Sequence, residues 1–359
     1  MTSPTTNECV QLSEEDLRIV SARARAMWDE AEELARKGHY KRSVQKSLSG
    51  AALYETIGDG IRKARMLGQA GVTCSRAHHY RAAAYYSWKA LRSVPRENVA
   101  EKVWIWGSLA RIYRLLWDFT RAKKYNHIQL KIAMEQRNAL QTGYAHLGLS
   151  LNGYYQEDWD SALNHALKAS EIFSSSDDGR IAFVGLLAVA CVHNGKGDTR
   201  AALEILEDIL SPEEILADPE YISEAFDELA KVHLRTGHFE KFREARDKTA
   251  EWAARSKSLP QMGRAIMLDA EFHWIKGKRR KAIQAARKAI VVFRNHGAIG
   301  PLHDAEKMLM SWLKGDVHSR EKPQKAVSRA DSGGNTGKRS VLHGSGQSDR
   351  FSSKSPAGR

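Results

Sequence analysis

With 359 residues and 42% hydrophobic content, the chain suits two ordinary domains or one extended repeat array, and it carries enough apolar material for a core. The formal charge of +13 favours an acidic partner, although residues 315–359 hold nine Lys/Arg against four Asp/Glu and so about +5 of it. The three cysteines, Cys9, Cys74 and Cys191, form no CxxC pair, which argues against a disulfide framework or structural zinc and fits a reducing, cytoplasmic setting.

Residues 1–12 are expected to be flexible, with no basic start and apolar run to suggest a secretory leader. No segment approaches the roughly 18 consecutive apolar residues of a membrane-spanning helix, so no membrane partner is expected. Structure should begin at SEEDLRIV, where Ser13 and Asp16 form a capping-box-like helix start.

From there one short phrase recurs: a small or polar residue, a variable one, an aromatic, two variable positions, then usually alanine. Its third position is Tyr40, Tyr80, Phe119, Trp159, Thr199, Phe239 and Arg279, at intervals of 40, 39, 40, 40, 40 and 40 residues. Upstream of each phrase lies an amphipathic run such as WIWGSLARIYRLL (104–116), and downstream another such as AAAYYSWKALRSV (82–94). The phrase itself is a turn: Gly38, Gly197, Gly237 and Gly277 suit the left-handed end of a helix, and Asp118, Asp158 and Asp198 suit the start of the next. The alanine marks a close approach of two helices. A single hairpin of this kind cannot bury its apolar face alone, so seven must stack into a continuous core over residues 13–314.

PLHDAEKMLMSWLKG then predicts one unpaired helix at 301–314, a cap covering the last repeat. The Ser/Gly-rich basic tail, 315–359, has almost no large apolar residues and is expected to be disordered.

The phrase resembles the tetratricopeptide repeat (TPR), with W-x2-LG-x2-Y in helix A and G-x-Y-x2-A-x6-A across the turn and helix B. The second unit matches at Leu67, Gly71, Tyr80, Ala83, Ala90, Leu91 and Pro95, and the third at Trp106, Leu109, Ala110, Tyr113, Phe119 and Ala122. The period of 40 exceeds the family's usual 34, and such long units resemble those of kinesin light chains and of MalT-type and Rap-type regulators. The last unit departs most, with Asp269 and Arg279 where the motif wants leucine and an aromatic. The resemblance implies an all-α, right-handed α-solenoid with helix A lining a concave groove.

Carried onto this chain, the groove positions hold Trp28, Arg36, Arg65, Arg76, Trp104, Arg111, Arg114, Tyr144, Tyr154, Tyr155, Lys231, Arg235, Arg264 and Trp274, with fewer acids, chiefly Glu32, Glu224, Asp227 and Glu271. Arginine with aromatic rings is the composition of binding hot spots, and the guanidinium fork favours carboxylates or phosphates. The asparagine-rich carboxylate clamp of chaperone-binding members is missing: the ninth motif position holds Glu32, Val72, Arg111, Leu151, Cys191, Lys231 and Glu271.

His193, His233 and His273 recur every 40 residues, but equivalent positions of stacked hairpins stand about 10 Å apart, too far for one metal. They occupy the position of Cys74 and Tyr113 and are expected to be structural; His78 and His79, in a turn, are expected to be solvated. No nucleophile, phosphate-loop or zinc-protease motif occurs, and Glu14–Glu15 and Glu213–Glu214 read as helix-start or loop acids. No enzyme activity and no cofactor are expected. The basic run KGKRRKAIQAARK (276–288) reads as a solvated helix face rather than a nucleic-acid site.

The expected function is a cytoplasmic scaffold or adaptor holding a protein or acidic peptide. A peptide-sensing regulator of a transcription factor or kinase is one alternative, and a nucleic-acid-associated protein using the basic patch and tail is the other. Oligomeric state is left open.

Overall fold

A computed structural model of the chain describes residues 13–211 and 217–314; the expectations for 1–12, 213–214 and 315–359 lie outside them. The described residues form hairpins. These pair α1 (Glu14–Arg36) with α2 (Tyr40–Thr56), α3 (Gly60–Arg76) with α4 (Tyr80–Ser93), and α5 (Val103–Leu115) with α6 (Phe119–Glu135). The series continues with α7 (Ala139–Tyr155) and α8 (Trp159–Ser174), α9 (Gly179–Lys196) and α10 (Thr199–Leu210), and α11 (Pro219–Thr236) and α12 (Phe239–Ser256). It ends with α13 (Leu259–Ile275), α14 (Arg279–Asn295) and a last helix, α15 (Ile299–Lys314). The chain is an all-α helical-repeat solenoid.

Each second helix begins on the third residue of the repeated phrase, from Tyr40 through Arg279. The chemistry of that start is uneven. Asp118, Asp158 and Asp198 accept from the backbone N–H three residues on, whereas His39, His79, His238 and Lys278 make no side-chain cap. At the head of the chain, Ser13 and Asp16 form a reciprocal capping box. The residue three past each helix start is buried in every unit: Ser43, Ala83, Ala122, Ala162, Ala202, Phe242 and Ala282. A Cβ at Gly153 would already lie 3.1 Å from that of Ala162, so the site admits little more than a methyl group.

Successive first helices, α3, α5, α7, α9, α11 and α13, touch one another along the stack, while each second helix packs against the first helices on either side. A curved stack brings its inner elements together and spreads its outer ones. The first helices therefore line the concave side.

One half-buried polar pair joins the two helices of the fourth hairpin. His146 (α7) and His165 (α8) stack with centroids 5.1 Å apart and Nδ1 atoms at 3.0 Å. Burial, with the charges of His146, Lys168, His127 and Lys123, holds His165 down at about 4. The unfolded chain then binds more protons below its ordinary value of 6.5, so stability rises with pH across that window and is lost as pH falls from 6.5 towards 4. The urea midpoint of the wild type should therefore drop between pH 7 and pH 5 by more than that of His165→Gln. Equal drops would mean that the pair does not set this pH dependence.

Candidate binding groove

The concave surface gathers charge from helices far apart in sequence. Arg76 closes α3, Arg111 and Arg114 stand on α5, and none of the three guanidinium groups has a hydrogen bond or an acid within ion-pair distance among the described residues. Arg111 and Arg76 are exposed and Arg114 is half-buried. Crowding by the walls nevertheless pushes the Arg114 guanidinium down to about 10, with Arg111 adding to the effect against the pull of Tyr155 and Tyr221. Arg111, though its side chain reaches solvent, is lowered likewise, by the protein crowded around it first and then by Arg76, with Tyr221, Glu220 and Tyr80 opposing. These opposing neighbours lie on α11 and at the start of α4, so charges of units 2, 3 and 6 act on one another across the groove.

Tyrosines line the gap. Tyr155 closes α7 against Trp117 and Phe119, with ring centroids at 6.1 and 6.0 Å. Tyr154 packs edge-on to Tyr155 and Trp159. Tyr221 is exposed on α11, and burial pushes Tyr80 up to about 12.

The opposite wall is acidic. Glu220 and Glu224 lie one turn apart on α11, and burial raises the Glu224 carboxyl, with Glu228, Glu220 and Asp227 adding and Arg264 opposing. No hydrogen bond or ion pair holds Glu224 among the described residues. The groove thus carries two poles, cationic on α3 and α5 and anionic on α11, where the sequence suggests mainly arginine.

Several groove candidates are committed elsewhere. Lys231 lies 2.7 Å from both Asp227 and Glu228, and Arg264 lies 3.4 Å from Asp227, forming an ionic network of two buried carboxylates and two half-buried cations. Asn194 donates to the Glu228 carboxylate and completes it. Arg36 pairs with Glu33 at 2.6 Å, Arg65 pairs with Glu101 at 2.8 Å, and Arg235 is engaged within the protein. Trp28 packs into the core around Ala24 and Tyr54, and the Trp104 ring covers Gly68. Tyr144 meets Phe173 at 5.2 Å. Trp274 stacks on Trp312 at 4.7 Å, beside the last helix.

The histidine series stays dispersed: His233 is buried, His193 lies 3.3 Å from Asp198, and no cluster of three metal-ligating side chains occurs among the described residues. His79 is exposed, but His78 is not solvated as expected. It is half-buried and bonds Tyr80 Oη at 2.8 Å. In the basic run, Lys276 sits 3.4 Å from the Phe239 ring centroid and Arg279 lies 5.5 Å from that of Trp274, while Arg280, Lys281, Arg287 and Lys288 are exposed. No helix among the described residues is long and apolar enough to cross a membrane.

No protein-family model matches the sequence, and no curated protein matches it significantly. Solved structures do. The apo form of RapI superposes with a TM-score of 0.60 at 15% identity, covering 76% of this chain and 97% of that one. A Rap protein complexed with Competence and Sporulation Factor gives 0.53 at 13%, covering 82% and 98%. A tetratricopeptide repeat protein from Parabacteroides merdae gives 0.51 at 13%, covering 80% and 99%. The fold is TPR-like. At these identities the likeness extends to the fold, and the TPR-like groove has to be read from its own side chains.

Proposed function

We propose that this TPR-like chain is a non-enzymatic binding protein that holds a peptide, or a peptide segment of a partner protein, in its concave groove. The observation that carries this reading is the pair Arg111 and Arg114: both crowded by the groove walls, both without an acidic partner among the described residues. A guanidinium in such a place gains most from a carboxylate that also sheds water. Glu220 and Glu224 face a basic group on the same ligand, so the ligand carries both charges, as a short peptide does. Tyr155 and Tyr221 supply its apolar contacts.

Among the functional classes, a peptide-responsive regulatory adaptor gains support from the Rap structures, one of which was solved as a complex with Competence and Sporulation Factor. A nucleic-acid role gains none: two cations of the basic run sit on rings, and the rest are an ordinary exposed face.

Arg111→Glu/Arg114→Glu should lower affinity for a partner captured by the wild type by at least about tenfold, as loss of a charged hot spot does. Capture at wild-type strength by a variant with an unchanged helical melting curve would overturn the groove reading.

A further inference from the structure

Each hairpin turns through one residue of left-handed backbone. In four hairpins it is glycine: Gly38, Gly197, Gly237 and Gly277, where an added Cβ would meet nothing within 4 Å. In units 2, 3 and 4 it is His78 (φ 59°), Trp117 (φ 61°) and Glu157 (φ 59°). Side chains are disfavoured in this region; Arg137 and Lys257 adopt it too, at turns between hairpins, so what sets these three corners apart is what they touch.

All three meet the C-terminal segment. A Cβ at Gly297 would lie 3.0 Å from that of His78, so the chain passes His78 at glycine distance. Ile299 packs into the cluster of Cys74, Tyr80 and Ile112. The Trp117 ring lies 4.3 Å from that of His303, and a Cβ at Gly300 would sit 3.5 Å from Trp117 Nε1. Lys307 Nζ lies 3.7 Å from the Glu157 carboxylate. Gly300, His303 and Lys307 are spaced three and four apart, one stripe of α15, and they meet corners 3 and 4 in order after Gly297 has met corner 2. The other stripe, Leu302, Ala305, Met308, Leu309 and Trp312, packs on the last hairpin.

We infer that α15 is a releasable latch: it joins the last hairpin to the corners of units 2, 3 and 4, closing the superhelix beside the groove, and its release opens the groove. The regulatory part of this inference rests on the groove reading above. Release is feasible because the contact set is small: one apolar side chain, two glycine approaches, one ring pair and one exposed ion pair that water screens. The latch abuts the site through Tyr155, which touches Trp117 and feels Arg114, Glu224 and Asp304 of α15.

The test uses the full chain with His78→Gly/Trp117→Gly/Glu157→Gly, and separately Ile299→Asp. If these corners serve only their own turns, three glycines relieve strain, and melting temperature and shape should hold or improve. The latch instead predicts a larger radius of gyration in X-ray scattering for both variants, and amide exchange at least tenfold faster over 297–307 with α14 unchanged. Unchanged radius and exchange in both variants would overturn it, whatever the groove binds. An opened chain that binds its partner with wild-type affinity would overturn control of the groove. Arg111→Glu/Arg114→Glu should keep the wild-type radius, so failure of the groove reading alone is seen separately.

Discussion

Phe173→Ala should destabilise the protein by about 3–5 kcal/mol, read as a lowered urea midpoint. The ring is fully buried at the end of α8, between α7 and α9. It lies against Gly143, and a Cβ on Gly185 would come within 3.2 Å of it. Phe293 repeats the arrangement three units later, with a would-be Cβ on Gly263 at 2.5 Å from its ring. Glycine inside a helix costs about 1 kcal/mol against alanine, and here it makes room for the ring. Gly143→Ala, which improves helix propensity, should therefore destabilise the wild type. In the Phe173→Ala background it should be neutral or stabilising, because the added methyl then enters the cavity. Additive effects of the two substitutions would show that ring and glycine do not share one packing site.

Lys231→Met should cost about 3–5 kcal/mol, since it leaves two carboxylates buried without their common cation. Asp227 and Glu228 are 1% and 3% exposed, and Arg264 reaches only Asp227, from 3.4 Å. Burial alone pulls Lys231 down, but Asp227 and Glu228 hold it well above the usual lysine range. Burial likewise pushes Glu228 up, and Lys231 with Asn194 reverses that to a net lowering. The pH dependence should therefore change sign at this site. In the wild type the Glu228 contribution is present above the unfolded carboxyl pKa and is lost as pH falls through the lower folded value. In Lys231→Met burial again dominates at Glu228 and raises its carboxyl, so the deficit seen at pH 7 should shrink as acid neutralises it. Urea midpoints at pH 7 and pH 5 separate the two behaviours; a deficit that grows on acidification would show that the network is not ionised as described.

These residues mark what the sequence makes legible. Repeat, period and hairpin starts can be read because each unit repeats its own local physics: a left-handed corner, a helix start, a small residue where helices cross. The groove is harder. Lys231 and Arg264 occupy ligand-facing positions of the motif, yet one is held by acids on its own helix and the other reaches an acid 37 residues away on the preceding unit. Trp274 is claimed by Trp312, and His78 by Gly297. The second face of α15 is the least legible feature. It depends on small rotations accumulated over several units, which no local pattern encodes.

The contact pattern of the stack also has a mechanical consequence. First helices touch one another along the inner edge, whereas second helices meet mainly first helices. The inner edge therefore acts as a chain of pivots and the outer rim as the open ribs of a fan. A rotation of a few degrees per unit spreads the ribs while disturbing little rib-to-rib packing, so bending is compliant and shear is stiff. Over seven units, once α15 lets go of units 2 to 4, such a lever turns sub-ångström adjustments around one bound side chain into ångströms of travel at the far end of the stack.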